Sequence, residues 1–397
     1  MPAIADAPIA GAGVDAGGPR RRLTFVTAAP YYPEAIGGAQ LSTHTLLTTL
    51  AGAGWDVDVI CAKAGPADRR GYLDRRWRSA VNAVAGPSRE TDAACGYACT
   101  RFGRLSQLRL RPLFAELERR GDTLIATEIG TGGHTPTKLA LLRSLGGRAA
   151  RSVVFVRTLS DPAFARIADW SGPHLTFVAN APFVAGELDR RYGIAAEVLL
   201  PVIDLDGFDG ADPAGDAARR PYVTFINPVP EKGATVFSEI AARMPEVDFL
   251  VVKGKWSHRD YAGTGPLDAI ARLPNVHVVP FADDVARIYR QTKLLLVPSQ
   301  FPEPFGRVVI EAQAHGIPVV ASERGGLPFA VGGGGVVVAP ADRADAYVDA
   351  LRRLLNDADR YADLSRKATA NCADYAATRD RQLRALTRML QRFPAAS

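Results

Sequence analysis

Seven residues separate Glu303 from Glu311 in the stretch PSQFPEPFGRVVIEAQAHGIPVVAS, Pro298 to Ser322. Between them PFGRVVI sets a Pro, an aromatic and a Gly ahead of an apolar run, which predicts a tight turn opening a helix. That helix is expected from Gly306 to His315, with Gly316 as its C-terminal cap. The free N–H groups of Phe305, Gly306, Arg307 and Val308 would then offer a phosphate unpaired donors at the positive end of a helix dipole. Glu303 lies on the loop side of such a site, and Glu311 about a turn and a half into the helix. Two carboxylates flanking a phosphate site suit a ligand with hydroxyls on both sides of a diphosphate, such as ribose–diphosphate–sugar. The plainer alternative is a loop acid and a solvated helix acid.

A second phosphate candidate is FINPVPEKGATVF, Phe225 to Phe237, which ends a strand and opens a helix after Lys232-Gly233. Lys232 is one of seven Lys among 48 basic residues, so a compact cation beside a Gly at a strand-to-helix turn is distinctive. An ordinary exposed turn Lys is the alternative. PYYPEAIGGAQLSTH makes a similar turn near the start of the chain, with Gly37-Gly38 before a helix. It is neither a G-x-G-x-x-G fingerprint nor a Walker loop. His134, in TEIGTGGHTPTK, follows a strand end and two glycines and could reach a reacting sugar. His44 reads as structural. Asp283-Asp284 opens a helix, where capping explains it better than metal binding, and no metal site is expected.

The elements that must position these residues alternate. RRLTFVTA, a Gly turn, a helix and WDVDVICA form β-loop-α-β within about forty residues, the unit of parallel sheets. DTLIATE, RSVVFV and LTFVAN read as further buried strands. PVIDLDGFDGADPAGDAARRP, rich in Asp, Gly and Pro, reads as a linker. After it come the strands YVTFIN, VDFLVVKG, NVHVVPF and KLLLVPS, with a helix after the first and another after the third; the stretch Pro298 to Ser322 supplies the next helix and strand, and two helices close the chain. The reading is α/β: two Rossmann-like parallel-sheet domains, with ligands expected at strand carboxyl ends and in a crevice between the domains. The expected divisions are a flexible tail at 1–20, domains at 21–203 and 204–375, and a C-terminal helix at 376–397 packing back on the first domain.

Composition narrows the classes. At 397 residues, with 47% hydrophobic and 23% charged residues, the chain reads as globular, and no apolar run approaches a membrane span. The +6 formal charge is spread along the chain, which permits a peripheral membrane association. No basic run is interleaved with aromatics, so nucleic acid is not expected. The exception, RRGYLDRRWR at Arg69 to Arg78, reads as a solvated loop. Cys61, Cys95, Cys99 and Cys372 read as free thiols of a cytoplasmic protein.

PSQFPEPFGRVVIEAQAHGIPVVASERGGLP resembles the donor-site signature, E-x7-E, of retaining glycosyltransferases of the GT-B fold, family 4. The resemblance extends through FINPVPEKG, NVHVVPFADDVARIYRQTKLLLVPS and FVANAPFVAGELDRRYGIAAEVLLPVID to PYYPEAIGGAQ. It implies two Rossmann-like domains facing across a cleft, the first (21–203) for the acceptor and the second (204–375) for the nucleotide-sugar donor, with a C-terminal helix crossing back. It further implies a metal-independent transferase without a cofactor, moving a sugar from an NDP-sugar to an acceptor hydroxyl. By the same resemblance Glu311 looks like the ribose carboxylate, and Glu303 faces the donor sugar as a catalytic group. Phe305, Gly306 and Arg307 lie near sugar and phosphates, Lys232 and Gly38 near the diphosphate, and Phe281, within Val279 to Ala282, near the base. Three positions depart from the family. Asn227 stands where an Arg is usual, with Lys253 or Lys255 as the alternative replacement cation. Arg157 follows the strand where a His is common, which leaves His134 as the alternative. Phe329 replaces a common Glu. These departures keep open a non-catalytic GT-B partner that binds nucleotide, besides a sugar-nucleotide epimerase; the acceptor, the donor base and the oligomeric state are open.

Overall fold

The computed structural model describes residues 21–33, 37–62, 88–92, 96–102, 112–113, 115–117, 119, 124–129, 135–146, 152–159, 175–205, 219–254, 266–282 and 284–391. His134, Asp283, Lys255, Cys95, the 1–20 segment and the Arg69–Arg78 cluster lie outside the described residues. The chain divides into two compact units, 1–202 with 381–397, and 203–380.

The first unit is built on an eight-stranded sheet in the order β3-β4-β2-β1-β5-β6-β7-β8. The strands are β1 (Arg22–Pro30), β2 (Asp56–Ala62), β3 (Ser88–Asp92), β4 (Tyr97–Phe102), β5 (Leu124–Ile129), β6 (Ser152–Val156), β7 (Leu175–Ala179) and β8 (Ala196–Val198). All neighbours pair in parallel except β3, which runs antiparallel to β4 at the edge. β5 and β6 are buried along their whole length, as expected of strands covered on both faces. One face carries Leu23, Phe25, Val59, Ala126, Phe155 and Val178, packed with Leu46, Leu47 and Leu50 of the helix Gly38–Gly52. Leu383, Leu386 and Leu390, near the end of the helix Ala358–Gln391, belong to the same cluster. The opposite face is filled by Val26, Ile60, Ile125, Leu141 and Leu145.

The second unit holds a six-stranded, all-parallel sheet in the order β11-β10-β9-β12-β13-β14. Its strands are β9 (Tyr222–Ile226), β10 (Phe249–Val252), β11 (Val276–Val279), β12 (Thr292–Val297), β13 (Val319–Ser322) and β14 (Gly335–Val338). Counted from β9, this is the 3-2-1-4-5-6 order of the doubly wound dinucleotide-binding fold. Its core is dominated by Phe225, Phe237 and Phe249, whose rings stack and cross at 4.8 and 5.4 Å.

Sheet order reverses between β1 and β5 in the first unit and between β9 and β12 in the second. In doubly wound sheets ligands bind beyond the strand carboxyl ends at such switch points. Four strands escaped the sequence reading. β3, SRETD, has no apolar alternation, β4 includes a charged Arg101, β8 is three residues long, and β14 follows a Gly run.

Candidate functional site

At the switch point of the second unit, β9 runs into a 3-10 turn, Pro230–Lys232, and β12 into the loop Pro298–Gly306. Lys232 thus leaves the first strand and Glu303 the fourth. The Lys232 Nζ lies 2.6 Å from Glu303 Oε1 and 2.5 Å from Oε2. Ser299 Oγ donates to Oε2 at 3.3 Å, and the ammonium sits 4.9 Å from the centre of the Phe301 ring. The Glu303 side chain is 11% exposed and that of Lys232 27%, so the pair is half-sheltered, with the cation on the wetter side. Sequence reasoning assigned these two residues to different parts of a ligand; the structure makes them partners.

Backbone fit holds the pair in place. Gly233 has φ 89°, and a Cβ there would lie 1.9 Å from the Pro298 carbonyl oxygen, so only Gly lets the two loops touch. Gln300 N–H donates to Glu231 O at 2.8 Å, tying the loops together. From behind, Gly325-Gly326 presses on the Glu303 loop, with Gly326 N–H donating to Glu303 O at 2.7 Å. Gly325 has φ 63°, and its Cβ would meet Glu303 O at 2.3 Å. Gly325→Ala should therefore lower stability by about 2–4 kcal/mol, from left-handed strain plus overpacking of backbone on backbone. Urea unfolding checks this, and a wild-type midpoint would mean that the loop yields freely.

The helix Arg307–Ala314 begins at Gly306, itself at φ 94°. It starts one residue later, and stops one earlier, than the apolar run suggested. Glu311 does not project alone. Its Oε2 accepts from Tyr289 OH at 3.0 Å, and its Oε1 lies 3.4 Å from Arg307 one turn back. Tyr289 is fully buried, and burial, then the Glu311 charge, push its pKa well above the ordinary phenol value. It stays a proton donor and fixes the carboxylate. His315, at the end of this helix, is buried, and burial with Arg220 and Arg290 brings its pKa down to about 4. It is neutral at physiological pH and structural. Phe305 is buried against Tyr375, with ring centres 5.7 Å apart, so its side chain is core and its contribution to a ligand is its backbone. Phe329 is exposed, 6.4 Å from the Phe305 ring.

Asn227, where a cation was expected from the resemblance, ends β9 at φ 63°, a conformation Asn tolerates better than Arg. Its Oδ1 occupies the space that a Cβ on Gly254 would need. Lys253, half-buried, follows β10; Phe281, half-buried, follows β11. Asp284 caps its helix by accepting from Arg287 N–H at 3.2 Å, as its place predicts. Among the described residues no group of three His, Cys, Asp or Glu could hold a metal.

At the switch point of the first unit, Gly38 opens the helix Gly38–Gly52, with Gly37 as an extended N-cap. One and a half turns on, Thr43 Oγ1 donates to Glu128 Oε2 at 3.0 Å and accepts from Arg157 Nη2 at 2.6 Å. Arg157 Nε lies 3.7 Å from the same carboxylate, with side chains 6% and 1% exposed. Neither Glu128 nor the Arg157–Thr43 link was legible in advance; the polar residues closing otherwise apolar strands were the available signal. His44 is buried and structural, as expected: Nδ1 is hydrogen-bonded to Tyr97 OH at 2.6 Å, and the ring stacks on Tyr32 at 4.1 Å. Cys99 lies 3.7 Å, sulfur to sulfur, from Cys61.

Residues 220–357 match the model of the family described as glycosyl transferases group 1. A D-inositol 3-phosphate glycosyltransferase of Gordonia bronchialis is 32% identical over 252 residues, 55% of this chain and 53% of that protein. The chain spans about half or less of the length of such curated relatives. Among solved structures, the sucrose-phosphate synthase of Thermosynechococcus elongatus has a TM-score of 0.71 at 19% identity, covering 94% of this chain and 99% of that one. Anabaena HepE, solved in complex with UDP-glucose, has a TM-score of 0.70 at 18% identity, covering 93% and 99%. No helix among the described residues is long and apolar enough to cross a membrane. The chain has the GT-B fold, and its residues 220–357 are similar to the glycosyl transferases group 1 family.

Proposed function

We propose that the chain is a retaining glycosyltransferase that moves a sugar from a nucleoside diphosphate donor to an acceptor hydroxyl. The observation that carries this reading is the Lys232–Glu303 pair at the β9/β12 switch point, beside the start of the helix Arg307–Ala314. The departing diphosphate needs positive charge, which the Lys232 ammonium and the first N–H groups of that helix supply. A diphosphate competes with Glu303 for Lys232, and the released carboxylate is then available to the donor sugar. Glu311, clamped by Tyr289 and Arg307, presents a fixed acceptor to ribose hydroxyls. Gly38 is assigned to the phosphates, Phe281 to the base, and His134 to the transferring sugar. No metal or cofactor is assigned a role, and the enzyme is placed in the cytoplasm.

The HepE complexes with UDP and UDP-glucose make UDP the first base to try, and the relatives' names make a cyclitol phosphate the first acceptor. Calorimetric titration with UDP, GDP, ADP and dTDP, without metal, tests the donor site. Micromolar binding of one of them, followed by turnover of its sugar conjugate, supports the reading. Binding without turnover favours a non-catalytic partner, and no binding removes the nucleotide-sugar reading.

A further inference from the structure

Gln300 is a half-buried polar residue in the loop after β12, with no local signal of a role. It is nevertheless bonded to three of the segments that leave the carboxyl ends of the second sheet. Its backbone N–H donates to Glu231 O, in the turn after β9, at 2.8 Å. Its side-chain Nε2 donates at 2.8 Å to Pro298 O, just past the end of β12, and at 2.8 Å to Ala341 O, beyond β14. Both side-chain partners are backbone carbonyls, so the amide can face them only through its nitrogen, and both of its N–H groups are used.

These two carbonyls bear on the charge pair. Pro298 O is the atom against which Gly233 rests, since a Cβ there would lie 1.9 Å from it. Lys232 immediately precedes Gly233, so the place of that carbonyl sets where the Lys232 side chain begins. Ala341 O also accepts from Tyr347 OH at 3.0 Å. Tyr347 is fully buried in the helix Ala344–Asn356, and burial raises its pKa above the ordinary phenol value, so it stays a donor. Ser299, the neighbour of Gln300, donates to Glu303 Oε2 at 3.3 Å. A shift of Ser299-Gln300 therefore moves both members of the Lys232–Glu303 pair. The close glycine contacts stop these loops from approaching further, but they cannot stop them from parting. The hydrogen bonds of Gln300 supply that second restraint.

We propose that Gln300 is a positioning residue for the Lys232–Glu303 pair, tying Pro298 O to Ala341 O so that ammonium and carboxylate are held where a diphosphate meets them. It acts through the backbone and carries no charge. The diphosphate in this statement rests on the proposed function; the hold on the pair does not.

Gln300→Met keeps the length of the side chain and removes its two donors. The first readout needs no nucleotide: trace acetylation of the full chain with acetic anhydride, read by mass spectrometry at Lys232 against Lys367. The Lys232 side chain is 27% exposed and engaged by Glu303, while Lys367 is a surface lysine paired with Asp363. In Gln300→Met, Lys232 should label at least fivefold faster and Lys367 at its wild-type rate. Gln300→Asn keeps the amide one carbon short and should fall between wild type and Gln300→Met. The second readout is calorimetry with UDP and uridine. UDP affinity should fall about tenfold in Gln300→Met and uridine affinity should stay within twofold. In a Lys232→Ala background the same substitution should cost UDP less than a further twofold, because coupled residues are not additive. Unchanged labelling of Lys232, equal acceleration at Lys367, or equal losses for UDP and uridine would each overturn the proposal. If the wild type binds no nucleoside diphosphate, the donor reading falls, and the labelling alone decides whether Gln300 holds the pair.

Discussion

Lys232→Ala should weaken nucleoside diphosphate binding about a hundredfold while leaving binding of the bare nucleoside within about twofold. The ammonium contributes a charge-assisted hydrogen bond worth about 1.5–3 kcal/mol where water is partly excluded. A second loss adds to it. With Lys232 gone, the Glu303 carboxylate, held in place by Ser299 and by the Gly325-Gly326 wedge, has no counter-charge and repels the arriving diphosphate. Together these amount to about 3 kcal/mol, or roughly two decades in affinity. The repulsive part is separable, because a Lys232→Ala/Glu303→Gln double variant should regain several-fold of the loss, as coupled neighbours do. Calorimetry with uridine and UDP, or the base found to bind, reads both numbers. Equal losses for nucleoside and diphosphate would place Lys232 away from the phosphates.

Arg157→Ala should cost the first unit about 3–5 kcal/mol of stability. The alanine leaves Glu128, whose side chain is 1% exposed, charged and without its guanidinium, and breaking a buried pair from one side is expensive for that reason. Such a loss is a large share of the ~5–15 kcal/mol that a domain typically has. With two units a single melting midpoint is ambiguous, so the proper readout is hydrogen exchange of the β5, β6 and β7 amides under native conditions. These should exchange hundreds of times faster, while β9, β10 and β12 stay unchanged. Adding Glu128→Gln should recover part of the loss. Protection unchanged in Arg157→Ala would mean that water already reaches the carboxylate.

What could be read from residue order was whatever is local. Strand, Gly turn and helix follow one another within a few positions in PVPEKGATVF and FPEPFGRVVI, so the loop-to-helix sites and the parallel sheets were legible. Partnerships were not. Lys232 and Glu303 are 71 positions apart, and meet because sheet order reverses between β9 and β12. Thr43 and Arg157 are 114 apart and meet for the same reason between β1 and β5. Tyr289 carries no local signal in its short helix, yet its hydroxyl donates to the Glu311 carboxylate. Asn227 looked like a lost cation, while its left-handed backbone and close fit to Gly254 give it a structural part at the strand end.

The helix Ala358–Gln391 belongs to the second unit up to Asp380 and to the first from Arg381. Its last leucines, Leu383, Leu386 and Leu390, sit in the same cluster as Leu23 and Phe25 of the opening strand. Part of the first unit's core is thus encoded after the whole of the second unit, so the first unit cannot be finished until residues made after the second have emerged. The second unit is an uninterrupted insertion within it and can complete its own core beforehand. Synthesis therefore completes these two units in reverse order of their appearance, and a chain cut short just before Arg381 would lose core side chains from the unit that was made before the other.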